Sequence, residues 1–130
     1  MQSLQFWASF ALALPAAVRT RRTAVRADGA AGPESGSTGE GPAFRLVGLG
    51  DSIIAGVGAT THAVGLVGRA AEQIASARSQ RVDWSVHGRS GATTNRVRAR
   101  LLPEAPVEQA DAVIVSAGVN DLTRLRSPRQ

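Results

Sequence analysis

At 130 residues the chain has room for one domain with one core, and the absence of cysteine excludes a disulfide scaffold, a thiol nucleophile and any Cys-based zinc or iron–sulfur site. Two histidines, His62 and His87, are too few and too far apart for a His-rich metal site. Every basic residue is Arg, four against three acids in residues 1–42 and eleven against seven in 43–130, so the net charge of +5 is spread; the densest run, Arg89, Arg96, Arg98 and Arg100, contains no aromatic and reads as a solvated helix face, not as a nucleic-acid surface.

In chain order, residues 4–18 (LQFWASFALALPAAV) are apolar and run into Arg19, Arg21 and Arg22. As a helix this stretch reaches roughly 22 Å against a hydrocarbon core of roughly 30 Å, so a full span is not expected. No positive charge precedes it and no small-residue cleavage site follows, which disfavours a secretory signal. Two readings stay open: an anchor at a membrane surface with its arginines on the cytoplasmic side, and a helix packed on the domain or a partner. Either places the chain in the cytoplasm or at a membrane. Residues 1–26 thus form an N-terminal segment, residues 27–42 (ADGAAGPESGSTGEGP) read as a flexible linker, and the domain is expected over 43–130.

Within the domain, residues 44–50, 82–87 and 112–117 are strand-like, and each ends in a glycine-containing polar loop. Residues 64–78 place Val67, Ala70, Ala71, Ile74 and Ala75 at helical spacing, and a second helix is expected over 93–102, stopped by Pro103. Such alternation predicts parallel strands joined by right-handed crossovers, with any site at the carboxyl ends of the strands.

Three loops therefore face one rim: Gly50-Asp51-Ser52, Gly88-Arg89-Ser90-Gly91 and Gly118-Val119-Asn120-Asp121. A serine at a strand-to-loop turn presents its hydroxyl at the rim beside its own amide, a glycine lets a second amide approach closely, and a side-chain amide adds a third donor. Together they suit the charge that develops on a carbonyl oxygen during acyl transfer. A dinucleotide fingerprint from Gly48 and Gly50 fails because position 53 is Ile53, and a Walker-type phosphate loop fails for want of lysine.

The strings GLGDSIIAGVG (48–58), GRSGATTNRV (88–97) and VIVSAGVNDLT (113–123) resemble, in order and spacing, the first three sequence blocks of the SGNH hydrolases, or GDSL lipases and esterases. The resemblance covers roughly residues 44–123. It implies a flavodoxin-like three-layer α/β/α sandwich with a parallel sheet, and an ester hydrolase acting on a small-molecule ester without metal or organic cofactor. Ser52 would be the nucleophile, and its own amide, the Gly91 amide and the Asn120 side chain would form the oxyanion hole. Asp51 and Asp121 would hold their loops.

The family's fourth block, Asp-x-x-His, has no counterpart among the 130 residues, and neither His62 nor His87 stands where the family's base does. The domain is accordingly expected to be incomplete at its C-terminus and to be a weak catalyst by itself, because a triad enzyme stripped of its triad keeps only about 10³–10⁴ over water. The alternative is a non-catalytic, membrane-tethered module of the same fold that binds an acyl or glycan ligand.

Overall fold

The computed structural model describes residues 28–124. Residues 4–18, on which both readings of the apolar N-terminal segment fall, lie outside them, and among the described residues no helix is long and apolar enough to cross a membrane.

Four strands form one sheet: β1 (Ser35–Thr38), β2 (Ala43–Gly50), β3 (Arg81–Gly88) and β4 (Ala112–Ser116), in the spatial order β1-β3-β2-β4. β2 is central and parallel to both β3 and β4. Its last five residues, Leu46 to Gly50, are all buried, as befits a strand covered on both faces. The register sets Gly50 opposite both Gly88 and Ser116, so the three parallel strands end level and their loops leave from one rim.

Between β2 and β3 runs α1 (Leu66–Arg78), whose buried Val67, Ala71 and Ala75 recur at the four-residue spacing of one helical stripe. That stripe packs on Leu46, Val82, Trp84, Val86 and Ile54. The helix starts two residues later than the periodicity predicts, because His62–Val64 is a separate 3-10 turn and Gly65 is extended. α1 closes at Ser79, which takes the left-handed conformation and donates its amide to the Ala75 carbonyl.

The second crossover covers the opposite face. There Val97, Leu101, Ala92 and Ala105 pack on Val47 and Leu49, completing the three layers. The helix expected over 93–102 is present in pieces: α2 (Thr94–Arg96), capped by the Thr93 hydroxyl, passes into a π-helical turn at Val97–Leu101 and a 3-10 turn at Leu102–Glu104. Arg96, Arg98 and Arg100 all project from it as exposed residues. α3 (Val119–Thr123) follows β4.

One expectation is corrected. The stretch 27–42, read as a linker, contributes β1, which lies antiparallel against β3, so the sheet is parallel only across its other three strands. Side-chain bulk plays little part in holding it there. Gly36 sits flat on the Trp84 indole, where a Cβ would come within 2.6 Å of the ring, and the Ser37 hydroxyl donates to the Asp83 carboxylate at 2.8 Å. The Ser37 hydroxyl and then the Arg81 guanidinium hold the Asp83 carboxyl below its ordinary value.

Two consequences are measurable. Gly68 faces the core side of α1, where a Cβ would fall on the backbone of Ala63. Helix propensity alone favours Gly68→Ala by about 1 kcal/mol, but the clash should reverse the sign and destabilise the fold by about 1–3 kcal/mol, read as a lower urea midpoint. The second concerns His87 on β3, whose ring Nε2 lies 3.2 Å from the Ser85 hydroxyl oxygen. Burial pushes its pKa below the ordinary 6.5, against a smaller opposing pull from Glu34 and Glu104. The unfolded chain then binds a proton more readily, so this contribution is complete above 6.5 and is lost as pH falls through the folded-state value. Urea midpoints should decline with acidification below that pH, and less steeply in His87→Gln.

Candidate active site

The two crossovers lie on opposite faces of the sheet, so the chain diverges at the carboxyl ends of β2 and β4, where open α/β sheets form their crevice. At that point β2 and β4 approach so closely that a Cβ on Gly50 would run into the Ser116 carbonyl. The Asp51 amide donates to that carbonyl oxygen at 2.9 Å, and the Arg89 amide donates to the Gly50 carbonyl at 3.1 Å. All three strand ends are thereby tied together.

Asp51, only 2% exposed, organises the first loop. Its Oδ1 accepts from the Ile53 amide at 3.1 Å and from the Ser116 hydroxyl at 3.1 Å. The turn then winds back, with the Ala55 amide donating to the Asp51 carbonyl and the Val57 amide to the Ser52 carbonyl, both at 3.0 Å. Ser52 stands at its crown, partly exposed, beside the exposed Ile53.

The third loop grips the second. Asn120 Nδ2 donates to the Ala92 carbonyl at 2.9 Å, and the Asp121 carboxylate accepts from the Thr94 amide at 2.8 Å and the Thr94 hydroxyl at 3.0 Å. Arg124 donates to the Gly91 carbonyl at 3.0 Å. Gly91 itself has φ of +75°, a conformation that glycine adopts without steric cost. Asp51 and Asp121 thus act as loop ties, the roles expected of them.

Ser52, Gly91 and Asn120 consequently lie on three loops joined to one another by hydrogen bonds, and each is partly exposed. Among the described residues the Ser52 and Gly91 amides donate to no acceptor, and the Asn120 carboxamide has one of its two N–H groups engaged. Unspent donors at a solvent-reachable rim can bind an anion.

Neither histidine joins this group: among the described residues no hydrogen bond links His62 or His87 to Ser52. His62 is buried at 6% exposure with its Nδ1 unpartnered, and His87 contacts Ser85. No group of three His, Cys, Asp or Glu side chains among the described residues could hold a metal ion. Two features of the rim escape the sequence reading. The segment from Asp28 to Glu34 borders the first loop, through Ala31 and Gly58 amide bonds of 3.2 Å to Thr60 and Asp28, and the second, through a 3.7 Å pairing of Glu34 with Arg89. Arg124 is the other, although its place four residues after Asn120 is the spacing of one helical turn.

No curated protein and no solved structure matches the chain. A model of the GDSL-like Lipase/Acylhydrolase family matches residues 49–130, from the last turnward residues of β2 through all three loops. With more than half of its length inside that match, the chain belongs to the GDSL-like lipase and acylhydrolase family.

Proposed function

We propose that the chain acts on carboxylic esters through Ser52. Its Oγ attacks the ester carbonyl carbon, the carbonyl π electrons move to oxygen, and collapse of the tetrahedral anion breaks the C–O bond to the leaving alcohol. The hydroxyl proton of Ser52 goes to base and the departing alkoxide takes a proton back. Water then attacks the acyl-serine, freeing the acid and restoring the hydroxyl. The Ser52 amide, the Gly91 amide and the second N–H of Asn120 receive the anion at both stages.

The observation that supports this reading is the pair of unspent backbone donors and the half-spent carboxamide on three mutually bonded loops, one of which carries the partly exposed Ser52. With neither histidine bonded to Ser52, the proton passes to a base outside the described residues, and turnover by this chain alone should be slow, since an unassisted serine hydroxyl is a weak nucleophile near neutral pH.

p-Nitrophenyl acetate, an ester with a good leaving group, is the assay. Ser52→Ala should abolish the protein-dependent rate, and Asn120→Ala should lower it by up to about 10²–10³. Added imidazole should accelerate the wild-type chain beyond its effect on buffer alone, and leave Ser52→Ala at the buffer rate. Hydrolysis that survives Ser52→Ala contradicts the proposal, and acyl-ligand binding without any Ser52-dependent turnover favours a non-catalytic module.

A further inference from the structure

We infer that Arg124 is a positioning residue for acyl transfer, its guanidinium tying the peptide that follows Gly91 to the end of α3 and so holding the second loop, with the Gly91 amide on it, at the rim. The inference rests on the reading of Ser52, Gly91 and Asn120 given above.

Arg124 Nη2 donates to the Gly91 carbonyl oxygen at 3.0 Å, and the same atom lies 3.4 Å from where a Cβ on Gly91 would stand. The guanidinium therefore covers Gly91 on the side a side chain would occupy. The Ala92 amide donates to the Arg89 carbonyl at 3.0 Å, closing the turn in which Gly91 takes its φ of +75°, and Arg124 holds the carbonyl of that same peptide from outside the turn. Asn120 Nδ2 on the Ala92 carbonyl and Asp121 on Thr94 fix the loop beyond it.

Residues 120, 121 and 124, in α3 and at its C-terminal end, thus form a three-point clamp onto residues 92, 94 and 91, and Arg124 supplies the point on Gly91. A guanidinium suits this task better than an ammonium. It is planar, reaches the carbonyl with one N–H and has further donors to spare. Its effect should fall on the transition state, where the oxyanion exists, and not on ester binding.

The test is steady-state p-nitrophenyl acetate hydrolysis by the full chain and by Arg124→Ala, Arg124→Lys and Ser52→Ala in parallel. Arg124→Ala should lose about tenfold to a hundredfold in kcat with KM changed by less than about twofold. Arg124→Lys should fall between the two, and added methylguanidinium should restore part of the rate of Arg124→Ala, a rescue that a misfolded variant would not show. Should the alanine variant fail to fold, the lysine variant carries the same kcat-against-KM comparison. A kcat for Arg124→Ala within about twofold of wild type, or a loss confined to KM, overturns the inference while Ser52→Ala remains inactive. Turnover unaffected by Ser52→Ala overturns both this inference and the reading beneath it.

Discussion

The buried carboxylate of Asp51 is the constraint on which the rim depends. A carboxyl group at 2% exposure is costly unless it is hydrogen-bonded, and here the Ile53 amide and the Ser116 hydroxyl both donate to its Oδ1. One bond shapes the turn that presents Ser52. The other crosses 65 positions of sequence to β4, so the serine loop keeps its conformation only while the two strands stay in register. Local turn and global sheet are one structure at this residue.

From there the dependence runs outward. Level strand ends bring the loops within reach, the Arg89 amide joins the second loop to the first at Gly50, and α3 clamps the second loop from the side of β4. The apolar core is divided between the two sheet faces and sets where the strands lie. Polar bonds then set where the loops point. A change in the core should therefore appear first as lost stability, and a change among Asp51, Asn120, Asp121 and Arg124 as lost alignment at the rim.

Legibility in the sequence followed the same division. The three parallel strands could be read because each is an apolar run ended by glycine, and α1 because Val67, Ala71 and Ala75 repeat at helical spacing. β1 was hidden because SGST has no apolar signal; its place is set by backbone pairing to β3, by Ser37 on Asp83 and by a glycine that fits under Trp84. The second crossover read as one helix because Val97 and Leu101 are buried four residues apart in either case, and apolar spacing does not reveal a π-helical turn. Ser52, Gly91 and Asn120 stood out by sitting at successive strand ends. Arg124 did not, since a lone arginine after a helix looks like surface charge and its partner is a main-chain carbonyl.

The claim at the centre of this account is that hydroxyl, amides and carboxamide from three loops serve one anion. A crystal structure of the chain after reaction with a fluorophosphonate tests it most directly. The account predicts a phosphorus–oxygen bond to Ser52 Oγ, with the phosphoryl oxygen about 3 Å from the Ser52 amide, the Gly91 amide and Asn120 Nδ2. A label carried by another residue, or a phosphoryl oxygen turned to solvent away from those donors, would contradict it.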